Sequence, residues 1–455
     1  MNWIDNLIFC VLLAGGIYWF ARNASKIRRN ILLGRALTIS DNISERWKLM
    51  AKVAIGQSKM VVRPVAGILH IFVYVGFIII NIEVLEILID GIFGTHRIFA
   101  FMGHFYYLLI ASFEFLALLV IVGCAIFLIR RYVIKLKRFM NKELDGWPRN
   151  DAAIILTTEI VLMSAFLIMN AADGVMMSYG KLSGGILFPE FADAAAKIFG
   201  EQGQVGKGLY FPVSAYLTGF LPSNPIALHY IERVCWWFHI LGIIAFLNYI
   251  PYSKHFHILL AFPTVFYSNL KPKGKFSNLE SVTNEVKLML DPSAVPPASD
   301  APPAKFGAKD VPDLSWKQLM DAYSCTECGR CTSNCPANQT GKLLSPRKIM
   351  MDTRDRMEEI GKGIDKNGAN YSDSKALVGD YITAEELWAC TTCNACTEAC
   401  PINIDPLSII IDLRRYLVME QSDAPAALNA MFTNIENNGA PWQFSPADRL
   451  NWKNE

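Results

Sequence analysis

Charge is scarce and nearly balanced in this sequence. Asp, Glu, Lys and Arg make up 18 % of its 455 residues, and 43 basic against 41 acidic side chains leave a formal net charge of +2. No excess of Lys and Arg is available to line a phosphate backbone, so nucleic acid is set aside as a partner. The start, Met1-Asn2-Trp3, lacks the basic n-region and small-residue cleavage site of a secretory leader, so the first apolar segment is expected to stay as an anchor. Histidine is missing after His257 and cysteine after Cys400. The tail therefore brings no further thiol or imidazole to a metal.

What the chain has in quantity is apolar. Hydrophobic residues are 52 % of the total and mean hydropathy is +0.27, values that place part of the chain in lipid. Five stretches, about 3–20, 65–89, 100–129, 152–174 and 230–250, are each candidates to cross a hydrocarbon core of roughly 30 Å as a helix of about 20 residues. Arg22 to Arg63 holds ten Lys or Arg and Arg130 to Arg149 seven, whereas 175–228 has only Lys181, Lys197 and Lys207. The positive-inside rule then puts the N-terminus outside and both basic loops, with everything after about residue 250, in the cytoplasm. The expected location is the cytoplasmic (inner) membrane, multi-pass, in contact with its lipid.

Of 11 cysteines, Cys10, Cys124 and Cys235 lie in apolar stretches, and the other eight form two copies of C-x-x-C-x-x-C-x-x-x-C-P. Such spacing reads as metal binding in a reducing compartment, not as a disulfide framework. Three cysteines two residues apart wrap the chain around one 4Fe–4S cube, and in two-cluster ferredoxins the fourth thiolate comes from the other run. That puts Cys325, Cys328, Cys331 and Cys400 on one cluster and Cys390, Cys393, Cys396 and Cys335 on the second. Zinc is the competing reading, but structural zinc takes paired knuckles, often with His, and no His is near. The domain is expected to act as a short wire without a substrate pocket.

The seven histidines, His70, His96, His104, His229, His239, His255 and His257, all lie in or beside apolar stretches, where ionisable residues are functional candidates. His239 and His257 are five turns apart on one helix face, if the helix is unbroken, which suits two haems stacked across the bilayer. Matching depths pair His70 with His257 at the inner end and His104 with His239 at the outer end, leaving His96 and His229 in reserve. Hydrogen-bonded structural histidines are the alternative. Glu83, Glu86, Glu114 and Glu159 are intramembrane carboxylates, suited to relaying protons to a quinone or to bonding within the bundle.

Residues 271–312 turn to Lys, Pro, Ala, Ser and Asp, including Val295-Pro296-Pro297 and Ala301-Pro302-Pro303, and are expected to be a flexible linker. The division is thus a transmembrane domain over 1–265, the linker, and a 4Fe–4S domain with a helical tail over 313–455. The fold class is mainly α: a five-helix transmembrane bundle followed by a helical bis-4Fe–4S ferredoxin-like domain. Helices are expected after Ser345-Pro346 and over 406–420, where Leu407, Ile410, Ile411, Leu413 and Leu417 form a stripe.

Gly67-Ile68-Leu69-His70 and Pro251-Tyr252-Ser253-Lys254-His255-Phe256-His257 give 1–270 a resemblance to the nitrate reductase gamma-subunit type of di-haem cytochrome b, as in the membrane subunit of methanogen heterodisulfide reductase. That resemblance implies haem ligation by His257, His239 and His70; where the family has a further histidine, ten residues after the one matching His70, this sequence has Ile80, which turns attention to His104. Residues 315–452 resemble the two-cluster subunit of heterodisulfide reductases, and Leu413 to Val418 with Asn438 to Trp442 are similar to the segment that leads into CCG domains in fused relatives. The resemblance implies an electron-transfer subunit of a quinone-linked oxidoreductase, with two 4Fe–4S clusters, one or two haem b and quinone as substrate, working with a separate CCG-domain or flavoprotein subunit. A non-catalytic anchor or redox-sensing module is the rival expectation.

Overall fold

In the computed structural model, which describes residues 3–186, 188–200, 211–291, 293 and 305–454, five helices are long and apolar enough to cross a membrane. They are α1 (Trp3–Ile31), α2 (Pro64–Phe93), α3 (His104–Leu128), α4 (Trp147–Leu182) and α5 (Pro225–Tyr249). Helices satisfy every backbone hydrogen bond within the segment, the condition that lipid imposes. Proline in the first turn starts α2, α4 and α5, where its missing N–H costs nothing. The Asn224 side chain caps α5 by accepting from the Ile226 and Ala227 amides at 2.9 and 3.4 Å.

α4 packs against α3 and α5, α2 lies on α3, and α1 on α2 and α5. Phe9, Tyr106, Phe113, Phe166, Met176, Trp236 and Ile240 fill the centre of the bundle. Leu7, Val11, Ile68, Phe77, Phe115, Val161 and Phe238 point outward, the inside-out pattern that a lipid solvent accepts. The polar connections 32–63 and 129–146 lie at one end of the bundle, here the basic face.

α6 (His257–Phe266), α7 (Glu280–Leu290), α8 (Trp316–Ser324), α9 (Pro346–Asn367), α10 (Pro406–Met419) and α11 (Ala426–Asn438) follow. Among the described residues β structure is limited to the isolated bridges Arg35–Ser315 and Val378–Ile382. The chain is a five-helix transmembrane bundle followed by a helical domain.

Three local readings change. α1 continues well past residue 20, because its basic end is held by the second domain: Lys26 bonds Asp365 at 2.6 Å, Arg29 bonds the Gly361 carbonyl at 2.9 Å, and Asn30 donates to the Tyr323 hydroxyl at 3.0 Å. The stretch expected to be an extended linker contains α7, while Val295-Pro296-Pro297 and Ala301-Pro302-Pro303 lie outside the described residues. The third change is a break after α5. Two single 3-10 turns, Ile250–Tyr252 and Lys254–Phe256, are separated by Ser253 in an extended conformation before α6 begins, so His239 and His257 do not share one continuous helix face. Pro251, which cannot donate to the ladder, accounts for the interruption.

The second domain sits directly on the basic face. Ile27 and Ile31 of α1, with Ile250 and Phe256 from the break, share a core with Leu319, Met320, Ile349, Met350, Ile410 and Leu413. Polar contacts reinforce it: Arg330 donates to the Lys59 and Met60 carbonyls at 2.9 and 3.1 Å, and Arg63 to the Ser333 hydroxyl at 2.7 Å.

Candidate metal centres

Capped helices deliver the cysteines. Ser315 and Gln318 form a capping box at the start of α8, and Cys325 is its C-cap; Thr383 and Glu386 do the same for the short helix Ala384–Trp388, just before Cys390. In both runs the chain then turns through two left-handed residues at equivalent positions: Glu327 (φ 56°) and Gly329 (φ 70°) in the first, Thr392 (φ 57°) and Asn394 (φ 60°) in the second. A repeated left-handed turn between cysteines curls the backbone around a common centre. Glycine at 329 also makes room for a buried arginine. A Cβ there would lie 2.6 Å from Nη1 of Arg347, the fully buried side chain that bonds the Arg138 carbonyl and Glu143, both at 2.7 Å.

Cys325, Cys328, Cys331 and Cys400 line one cavity together with Met350, Pro401 and Ile404. Cys390 is in electrostatic contact with Cys335 and Cys393, and Cys396 with Cys390. Each grouping therefore draws one cysteine from the other run. Backbone amides point at the sulfurs: Thr392 N–H donates to Cys390 Sγ at 3.4 Å and Ile404 N–H to Cys400 Sγ at 3.3 Å. Among the described residues no three His, Cys, Asp or Glu converge as a single ion requires; a cube, with one sulfur on each iron, needs a wider ring. Burial pushes the Cys325 thiol up to about 11 and those of Cys396 and Cys400 up to about 12. Thiolates at these places need positive charge beside them, and the donor set fits iron in that role. The two sites differ in access. The set with Cys325, Cys328, Cys331 and Cys400 has no exposed member, while in the second set Cys335 and Cys396 are buried and Cys393 is exposed.

The histidines divide into one group and several singletons. His70, from the second turn of α2, and His255 are each in electrostatic contact with His257, and the His255 and His257 rings are 5.6 Å apart. Nδ1 of His257 lies 3.0 Å from the Lys254 carbonyl; with Nδ1–H donating, Nε2 keeps its lone pair for a metal. His70 Nδ1 and His255 Nε2, like His96 Nε2 and His229 Nδ1, are buried without a hydrogen-bond partner, which leaves room at each for a further polar group. His70 also feels Arg330, which lies between Cys328 and Cys331.

His239 and His104 are not brought together. His239 is buried with Nδ1 3.0 Å from the Leu162 carbonyl, and it sits fourteen residues into α5, about 21 Å along the axis at 1.5 Å per residue. His104 is exposed at the first residue of α3 and stacks on Tyr107. Equal depth, the basis for pairing them, fails because one lies deep in its helix and the other at a helix start. Ile80, where the family pattern has a histidine, is buried in the apolar core.

The far half of the bundle holds a polar network that sequence reading largely missed. Arg97 donates to Tyr106 Oη at 2.9 Å, to Asn170 at 2.7 Å and to Asp173. Tyr106 donates to Glu86 at 2.6 Å, and Asn170 to Glu114 at 3.1 Å. Glu86 and Glu114 therefore bond within the bundle, whereas Glu83 Oε2 has no partner. The sequence marked the carboxylates by depth, but Arg97 stands in the connection before α3, and no spacing links it to Asn170 and Asp173 on α4.

The 4Fe–4S dicluster domain family matches residues 321–404. The chain is 27 % identical, over 99 % of its length, to a probable iron–sulfur-binding oxidoreductase, FadF, of Bacillus subtilis, and spans 61 % of that protein. It is 26 % identical, over 91 % of its length, to an EtfAB:quinone oxidoreductase of Syntrophomonas wolfei, spanning 55 % of it. One of the polypeptides of the CoB-CoM heterodisulfide reductase of Methanosarcina acetivorans is 38 % identical over 22 % of this chain and 49 % of its own length. No solved structure matches. The chain carries a 4Fe–4S dicluster domain behind a membrane bundle and is a relative of iron–sulfur oxidoreductases, with its cysteine domain similar to polypeptides of heterodisulfide reductases.

Proposed function

We propose that this is a membrane-anchored electron-transfer subunit, passing electrons between a cytoplasmic oxidoreductase partner and the quinone pool through two 4Fe–4S clusters and b-type haem. One observation carries the reading: Arg330 lines the cavity of Cys325, Cys328, Cys331 and Cys400 and is within electrostatic reach of His70, one of the His70, His255 and His257 group. Bound there, the clusters and haem would supply one-electron carriers. The eight cysteines hold the clusters in crossed sets, and His70 and His257 hold one haem at the basic face. His239 and His104 are not brought together, so the one haem held by His70 and His257 is the expected content.

The first cysteine run is held against the membrane part through Arg330 and Ser333, the second touches it at Thr397, and Cys393 of the second run is exposed to solvent. The partner therefore meets the second run. A flavoprotein or CCG-domain protein suits that role, given that the name of the Syntrophomonas relative couples EtfAB to quinone. Positive-inside bias puts this face in the cytoplasm and the bundle in the cytoplasmic membrane. Glu83, unpartnered in the bundle, is the carboxylate best placed to exchange protons with a quinone.

Pyridine haemochrome and iron assays on the purified chain test this. About one haem and about nine iron per chain are expected, roughly eight in the clusters and one in the haem, with the haem reduced by a quinol analogue. Absence of haem would leave only the anchor, and a haem that the quinol analogue fails to reduce would remove the quinone.

A further inference from the structure

Among the contacts between the bundle and the cysteine domain, Lys254 bonds both His257 and the loop that carries Cys325 and Cys328. Lys254 lies in the break between α5 and α6, its side chain 9 % exposed. Its ammonium donates to Glu327 and to the Pro148 carbonyl at 2.6 Å, and lies 3.9 Å from Asp151. Its amide donates to the same oxygen, Asp151 Oδ2, at 3.1 Å. Its carbonyl oxygen accepts from His257 Nδ1 at 3.0 Å. Asp151 is itself fixed by Ser253 and Tyr249, at 2.6 and 2.5 Å.

Glu327, at the far end of this ladder, stands between Cys325 and Cys328 in the left-handed conformation. Its second oxygen accepts from Arg354 at 2.8 Å. Burial acts to raise its pKa, but Lys254 and Arg354 outweigh burial and hold the carboxyl below its usual range. Two cations and two carboxylates close a balanced, buried ladder from α4 through Lys254 and the cysteine loop to α9. A non-glycine residue in this conformation carries strain and keeps it only where its surroundings hold it.

We infer that Lys254 is a positioning residue for electron passage between the two halves of the molecule: its ammonium fixes the Cys325–Cys328 loop against the bundle, and its carbonyl fixes the ring and tautomer of His257. This rests on the reading of His257 and the cysteines as ligands given above. The two functions are separable by mutation. Lys254→Met removes the ammonium and leaves the carbonyl, so His257 keeps its hydrogen bond while the loop loses its tie.

The test uses the full chain in detergent with its metals. In K254M, haem absorption and iron content should stay at the wild-type level, while amide exchange over 325–331 quickens. Electrons injected at the cysteine domain by flash photoreduction should reach the haem about tenfold more slowly, the scale of coupling within one ion-pair network. E327Q should behave alike, the double variant should be no worse than either single, and K254R should restore both readouts. Transfer at the wild-type rate in K254M, slower transfer without quicker exchange, loss of haem or iron, or additive effects in the double variant would each overturn the inference. A wild-type chain without haem would instead overturn the haem reading, and with it this role, before any variant is compared.

Discussion

His255 and His257 stand two residues apart at the same break in the backbone, yet a main-chain carbonyl fixes only the second as the Nδ1–H tautomer. His257→Ala should therefore abolish the haemochrome band and His255→Ala should retain it; the pyridine haemochrome assay on membranes of each variant separates them. In the cysteine domain Asp321 is a second informative residue. Burial raises its carboxyl to about 6, against an opposing pull from Lys317. A raised folded-state value means that the folded chain holds the proton longer than the unfolded one. Its stabilisation is then full below about pH 4 and is lost as pH rises through about 6, worth about 3 kcal/mol. Thermal midpoints of the wild type should fall across that window relative to Asp321→Asn. The eight cysteines, His70 and His257 stand out as candidates at this scale because spacing and apolar context mark them. Lys254 and Glu327 do not, since one is an ordinary lysine after a proline turn and the other an ordinary x in C-x-x-C until the fold apposes them.

At the scale of elements, the two cysteine loops repeat one backbone path with different residues. The second run places a β-branched threonine at 392 where φ is 57°, a conformation costing roughly 1–2 kcal/mol in an L-residue. Thr392→Gly should raise the thermal midpoint by the equivalent of about 1 kcal/mol, allowing for the looser unfolded chain, with iron content unchanged. The start of α9 shows the opposite case. Arg347 is wholly buried at the interface with the 137–143 connection and pairs with Glu143. Arg347→Met leaves that carboxylate without its cation and should cost about 3–5 kcal/mol, visible as a lower midpoint and easier proteolysis between the two halves. Helix identities were readable from apolar length and proline or serine starts. The end of α1 was not: it runs on because a second domain satisfies its basic end. α5 stops near residue 250, as hydropathy placed it, but the direction the chain takes after Pro251 depends on what packs beyond it.

For the whole molecule, the core shared by α1, the 250–256 break and the cysteine domain makes one docked body of what composition suggested were two pieces on a linker. Stripping iron anaerobically with a chelator should therefore loosen more than the loops: without iron the buried cysteines take up protons and lose their common centre. Amide exchange should rise over 325–335 and 390–400 and the thermal midpoint should drop, while circular dichroism keeps the signal of the five long helices. Taken alone, the sequence determined that the chain has five membrane-length helices and an eight-cysteine dicluster domain, because hydropathy and C-x-x-C spacing act over short distances along the chain. Tertiary structure decided which histidines meet, how the cysteine runs meet the membrane part, and that Lys254 joins the two. Those relations connect residues tens to hundreds of positions apart, and only packing sets their distance.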